Sequence, residues 1–292
     1  MKRYKAICAA LLCTLCLLTA CGKPAPSSAS IPDTSGGNMK SQPDSTASSV
    51  SASPSDNSFL VKDIEGNDYD LAATSWGTKY PFMVDYFRSL KREIEANGGD
   101  QQREDALLKN WYKITVQDSC VTPAGNPAVV LMGFDSEGNP DPDGPQLTTT
   151  IHSAVLDAAA ALDLKDAWEK AETQDYLTVT LTVENTGKEE TVFYLNSIAP
   201  HVIVDGEIAQ TAALSEMVTA DGTSAAQDGH SFFRCTLSPG QSQEYTAVFY
   251  ADRRLERRDI YLELGYTGVA NQPMSTADPL VYTQTGVFCA LE

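Results

Sequence analysis

Histidine, paired cysteines, basic charge and long apolar runs are all scarce in this sequence, and each scarcity removes a class of function. Only His152, His201 and His230 occur, none in an H-E-x-x-H run or beside a C-x-x-C pair, so zinc sites of those kinds are excluded. There is no G-x-S-x-G elbow, no S-x-x-K set, no G-x-x-x-x-G-K-[ST] phosphate loop and no dinucleotide fingerprint. Catalysis therefore has no motif to rest on, although acid and base residues can still assemble from distant strands. Lysine and arginine number 21 against 39 acidic residues. A surface so acidic repels nucleic acid and anionic headgroups.

The chain opens with Lys2, Arg3 and Lys5, followed by the apolar run Ala6 to Leu18, which is too short to span a bilayer. A charged start and a short apolar core are the parts of a secretory signal, assigned to residues 1–20. Leu18-Thr19-Ala20-Cys21-Gly22 then resembles the lipobox of bacterial lipoproteins. The resemblance implies that Cys21 becomes the first mature residue and carries the lipid, such as palmitate, that holds the protein to the outer face of the cell membrane. Cys8, Cys13 and Cys16 leave with the signal. Its three basic residues leave too and no acidic one does, so 18 basic residues face 39 acidic ones and the mature charge is −21. Membrane contact is thus expected through the lipid alone.

From Gly22 to Ser58 there are twelve serines, five prolines and no aromatic residue. Such a composition cannot build a core, and it reads as a disordered tether, residues 21–58 counting the lipidated cysteine. A flexible chain of that length reaches about 35 Å, enough to hold a domain off the headgroups.

The centre of the folded region is Tyr176 to Leu195. Leu177, Val179, Leu181 and Val183 alternate with Thr178, Thr180, Thr182 and Glu184, the period of a half-buried strand. Asn185-Thr186-Gly187 breaks the pattern and Thr191 to Leu195 resumes it, which predicts an antiparallel hairpin. Further strands are expected at Trp111–Val116, Phe232–Leu237, Glu244–Tyr250, Ile260–Tyr266 and Thr283–Leu291, with a turn at Asp205-Gly206. Pro127 to Phe134, with its uninterrupted apolar run Ala128 to Met132, predicts a deeply buried strand. Many short alternating strands indicate a mainly β chain, an antiparallel β-sandwich with helical embellishments.

Phe59 to Leu71 reads as a small hairpin and Pro81 to Ala96 as a helix, with proline in the first turn and Asn97-Gly98-Gly99 as its stop. Gln101 to Lys109 predicts a second helix. These make a preface, residues 59–110, to a sandwich over 111–292. Ser153 to Thr173, rich in alanine and leucine, predicts a helix inserted between strands. Ala213 to Gly229 predicts a long polar loop.

The order of Val179 to Asn185, Val202 to Gly206, Leu237-Ser238-Pro239-Gly240 and Val248-Phe249-Tyr250 resembles that of a family of uncharacterised telokin-like, immunoglobulin-like domains of Gram-positive lipoproteins. The resemblance covers Tyr176 to Tyr266 and, more loosely, Trp111 to Val116, and implies an extracytoplasmic Ig-like fold without catalytic residues. The preface and Ala128 to Thr173 lie outside that pattern.

Three features are candidate sites. Asn139, Asp141 and Asp143 match the first half of a calcium loop, but Thr150 stands where a bidentate glutamate is required, and Pro140 and Pro142 stiffen the backbone; a solvated turn is the competing reading. Cys120, Cys235 and Cys289 are odd in number, so two of them form one bridge or all three pack as free thiols. Arg253, Arg254, Arg257 and Arg258 form the one basic cluster, either a patch for an anionic wall polymer or a solvated loop paired with local acids.

These readings lead to a membrane-anchored binding or interaction module of the cell envelope, with an envelope protein or a glycan as ligand, no cofactor and no nucleic acid. An envelope enzyme or enzyme subunit and a structural or assembly protein are the alternatives. A polar pocket with convergent carboxylates would favour the first of these, and a large apolar patch the second.

Overall fold

Strand β7 (Gln174–Asn185) buries Leu177, Val179, Leu181 and Val183 completely, while the threonines between them face the other side. Each such aliphatic side chain taken out of water contributes roughly 1.5–3 kcal/mol, and four in line on one face fix the strand's register. The computed structural model describes residues 57–136, 141–159, 162, 170–209, 213–221, 233–265, 280–282 and 287–292, the last strand before Phe288 by backbone only. Phe59–Glu292 forms one compact unit.

In chain order the strands are β1 (Leu60–Lys62), β2 (Asp68–Asp70), β3 (Ile114–Val116), β4 (Val121–Thr122), β5 (Pro127–Leu131), β6 (Gln146–Asp157) and β7. They continue with β8 (Thr191–Tyr194), β9 (Ile198–Val204), β10 (Glu207–Ile208), β11 (Thr219–Ala220), β12 (Arg234–Leu237), β13 (Ser242–Asp252), β14 (Ile260–Leu264), β15 (Leu280–Tyr282) and β16 (Phe288–Ala290). Helices α1 (Ser75–Lys79), α2 (Pro81–Ala96) and α3 (Gln101–Leu108) lie between β2 and β3. One sheet has the order β11-β13-β7-β6-β5, antiparallel throughout. The other runs β15-β3-β10-β9-β14-β16-β4, antiparallel at its centre and parallel where β15 meets β3 and β16 meets β4.

The two sheets share one core. Leu177, Leu181, Tyr245 and Phe249 of the first belong to the same buried cluster as Ile198, Val202, Ile260, Leu262 and Cys289 of the second. The protein is thus mainly β, a β-sandwich with helices added. The preface belongs to that cluster as well, through Phe59, Val61, Leu71, Trp76, Met83, Phe87, Leu107 and Trp111. A second, smaller cluster of Ile114, Val116, Cys120, Ile203, Ile208 and Phe288 lies apart from it.

Several elements differ from what the sequence predicts. Strand β8 does not pair with β7 but with β12, in a separate two-stranded sheet. Buried Asn185 causes this: its side-chain amide donates to the carbonyls of Glu189 (2.7 Å) and Leu237 (2.8 Å), which holds the connection open and steers the returning chain off its neighbour. Ser153 to Asp157, expected in a helix, is the second half of β6, where a bulge at His152 shifts the pairing with β7. Helix propensity loses there to the long ladder; 160–161 and 163–169 lie outside the described residues. The polar loop begins instead as an edge strand, since Ser215, Val218 and Asp221 donate to the carbonyls of Tyr250, Val248 and Thr246 on β13; residues 222–229 lie outside the described set. Strand β5 is not a deeply buried strand but a sheet edge, with Ala128 and Val130 inward and Val129 50% exposed.

Candidate functional site

Two adjoining open clefts lie where the 71–80 segment crosses the β9–β10 turn. The first, of about 430 Å³, is lined by Ala73, Ser75, Thr78, Lys79, Val204, Asp205 and Asp259. The second, of about 240 Å³, shares Ala73 and Ser75 with it and adds Tyr69, Lys113 and Glu207.

Local sequence makes this segment rigid. Asp70 caps the 3₁₀ turn Leu71–Ala73 by accepting from the amide of Ala72, and Thr74 caps α1 by accepting from the amide of Gly77 at 2.9 Å. Gly77 is obligatory: a Cβ there would stand 2.0 Å from the carbonyl oxygen of Leu71. Opposite, Asp205 and Gly206 both have positive φ, 50° and 76°, and form the two-residue turn between β9 and β10.

The polar groups of the clefts are bonded to one another. Glu207 is only 2% exposed and accepts from the Tyr69 hydroxyl and the Ser75 amide, both at 3.1 Å, with Lys113 Nζ at 3.6 Å. Asp259, 8% exposed, accepts a short hydrogen bond from the Tyr80 hydroxyl and pairs with Lys79 Nζ at 2.6 Å. The Tyr80 oxygen in turn accepts from the Glu256 amide at 3.1 Å, and the Glu256 carboxylate pairs with Lys79 at 3.4 Å and with Arg258. Burial first, and then the neighbouring Asp259 carboxylate, push the Tyr80 hydroxyl well above its ordinary 10.0. The hydrogen bond to Asp259 also raises Lys79 above 10.5. Both groups hold their protons at neutral pH, so neither offers a free base or an activated nucleophile. What the cleft offers a ligand is hydroxyl, ammonium and carboxylate groups in fixed positions.

The predicted site residues fall elsewhere. Cys21, Asn139 and His230 lie outside the described residues. Asp141 accepts from the Asp143 amide at 2.9 Å, and Asp143 pairs with Lys188 at 3.0 Å. Among the described residues no three His, Cys, Asp or Glu side chains gather as a metal site. Cys120, Cys235 and Cys289 are buried free thiols, so the structure holds no bridge among them. Burial drives the Cys289 thiol up to about 12. His152 meets Thr182 Oγ1 at 2.7 Å, and His201 meets Glu263 at 2.7 Å.

Each arginine of the cluster reaches a carboxylate while its side chain stays partly exposed. Arg253 donates to the carbonyl of Glu172 and lies 3.4 Å from Asp175. Arg254 grips both oxygens of Asp252 at 2.8 and 2.6 Å and stacks on the Phe82 ring at 3.8 Å. Arg257 joins the Ala154 carbonyl to Glu292, and Arg258 meets Glu256. An acidic chain supplies a carboxylate beside every one of them. The Tyr80–Asp259–Lys79–Glu256 network escaped the sequence reading because its members stand about 180 positions apart; only Tyr80 ahead of Pro81 and the arginine run marked its two ends.

The sequence matches no family model and no curated protein. Among solved structures it is similar in part to an uncharacterized β-sandwich protein from Clostridium difficile 630, with 8% identity and a TM-score of 0.26 over 50% of this chain and 85% of that chain. The sandwich description rests on the two sheets and their shared core, not on that likeness.

Proposed function

We propose that this chain is a lipid-anchored lipoprotein on the extracytoplasmic face of the cell membrane, whose Ig-like, telokin-like sandwich works as a binding module at the envelope. The observation that carries the reading is Leu18-Thr19-Ala20-Cys21-Gly22, placed directly behind a basic start and a thirteen-residue apolar run. The Ser- and Pro-rich stretch before Phe59 suits a tether, and the acidic surface leaves the lipid as the membrane contact. Binding is favoured over catalysis by the cleft beside α1, where charged groups neutralise one another and the lining includes Ser75 and Thr78, whose hydroxyl donates to the Ala72 carbonyl at 3.4 Å and keeps its lone pairs as acceptors. Groups of that kind suit a hydrophilic, hydroxyl-rich ligand such as a wall glycan.

The test of the anchor is Cys21→Ser in a Gram-positive host. The parent protein is expected in the membrane fraction and the variant in the medium or as unprocessed precursor; parent protein found in the medium overturns the reading. For the ligand, thermal melts of the chain from Ser58 onward are run against wall-glycan fragments, because a ligand of the folded state raises the melting temperature. A saturable rise is expected, with affinity about fivefold weaker in Thr78→Ala, the loss of one hydrogen bond.

A further inference from the structure

Most polar groups of the two adjoining clefts are already engaged, and those that are not say which ligand fits. In the first cleft Lys79, the one cation on the lining, faces two carboxylates, Asp259 at 2.6 Å and Glu256 at 3.4 Å. In the second, Asp68 pairs with Lys62, Asp70 accepts from the amides of Phe59 and Ala72, and Lys113 stands 3.6 Å from Glu207. Two groups are left. Among the described residues the Asp205 carboxylate has neither a cation nor a hydrogen-bond donor, and the Ser75 hydroxyl has no partner.

Both groups are held by rigid backbone. Ser75 lines both clefts, and its amide is fixed by the buried Glu207 carboxylate at 3.1 Å. Asp205 sits in the two-residue turn with φ of 50°, and the turn is pinned where the Gly206 carbonyl accepts from the Val116 amide at 2.8 Å. A short side chain on a fixed turn loses little freedom on binding, so its charge is presented at small entropic cost.

Charge then selects the ligand. An anionic group would find no free cation in the first cleft and would add to the repulsion of a chain with 39 acidic and 21 basic residues. A neutral hydroxyl can donate to Asp205, but a protonated amine donates and cancels the charge as well. We propose that the clefts select glycans carrying an amino sugar whose nitrogen is unacylated and protonated, with Asp205 as the residue that sets this preference. The selection rests on the reading of the clefts as a glycan site. The ammonium donates to the Asp205 carboxylate, and a neighbouring ring hydroxyl exchanges a hydrogen bond with Ser75. Acylation of the nitrogen removes its positive charge and two of its three donors. The clefts, of about 430 and 240 Å³, together fall within the range of small-ligand sites and have room for a disaccharide.

The test uses the compact unit from Ser58 onward, in thermal melts and titration calorimetry at about pH 6, where sugar amines carry their protons. The probes are the β-1,4-linked disaccharide of glucosamine and its di-N-acetylated form. The free amine is expected to bind saturably and about fivefold more tightly than the acetylated sugar, the size of one exposed ion pair, with a margin that shrinks as salt is added. Asp205→Asn removes the charge and keeps the turn, since asparagine suits the left-handed region; it is expected to bring the two affinities within about twofold of each other. Glu244→Gln, at an exposed position on β13 in the other sheet, lowers the net charge equally and is expected to leave the preference intact. Equal affinity for the two sugars, a preference that survives Asp205→Asn, or one that Glu244→Gln removes just as well overturns the proposal while the glycan reading stands. Binding of neither sugar also overturns it, and the glycan reading falls with it when wall-glycan fragments leave the melting temperature unchanged as well.

Discussion

Replacing Tyr80 by phenylalanine removes one oxygen atom from the join between the helical preface and the sandwich. The ring is buried beside Phe82, with centroids 5.8 Å apart, and phenylalanine preserves that packing. Two hydrogen bonds disappear: the one donated to the Asp259 carboxylate and the one accepted from the Glu256 amide. A hydrogen bond to a charged acceptor contributes about 1.5–3 kcal/mol and a neutral one about 1 kcal/mol. Lys79 remains 2.6 Å from Asp259, so the carboxylate is not orphaned, and the Glu256 amide lies near enough to solvent to recruit water. The net loss is therefore about 2 kcal/mol, a fall of about 4–8 °C in melting temperature for a unit of this size. The assay is thermal and urea denaturation of the 58–292 chain at pH 7, followed by circular dichroism. Asp259→Asn and the double variant complete a cycle, in which a coupling of at least about 1 kcal/mol is expected for groups in direct contact. A Tyr80→Phe protein that melts within about 1 °C of the parent, or a cycle with no coupling, would refute the view that this network fastens the preface.

The same network fixes the response to alkali. Tyr80 and Lys79 both have folded values raised above their ordinary 10.0 and 10.5, so each binds its proton more tightly in the folded state. Their contribution is complete below about pH 10 and is lost as pH rises through the folded values; Lys79→Met and Tyr80→Phe should each flatten the alkaline limb of a stability–pH curve, and an unchanged limb would count against the assignment. The three thiols of the folded unit should be silent toward Ellman's reagent at pH 8 and all react in urea. Each is buried, and burial raises both Cys235 and Cys289. A rapid, stoichiometric thiol in the native protein would contradict that burial.

Where local pattern and tertiary environment agree, the sequence was a reliable guide. The alternation in β7 survives because both neighbours, β6 and β13, keep its apolar face on the core along the whole length. Pro81 and the Asn97-Gly98-Gly99 stop bound α2 because capping is a local matter, and Gly98 and Gly99 take positive φ as the stop requires. The errors have physical causes as well. Pairing partners depend on side chains such as Asn185 that redirect a turn, and composition near Ser153 favoured a helix that the ladder with β7 overrides. For β5 the apolar run marked a strand but not its burial, because periodicity along the chain does not say which face the fold covers or that the strand ends a sheet. The candidate site was the least legible part, since Tyr80, Glu207 and Asp259 acquire meaning only when three distant turns meet.

By itself, then, the sequence determined the periodicities, the caps, the two-residue turn at Asp205-Gly206 and the acidic balance, because each depends on neighbours along the chain or on sums over it. Only the tertiary structure decided that the arginines of 253–258 are neutralised, that the three cysteines stand apart as thiols, that Glu207 and Asp259 are drawn into the wall of a cleft, and that β5 ends a sheet with its edge open. Burial and the identity of a hydrogen-bond partner are properties of positions in space, and they come into being when the two sheets close on their common core.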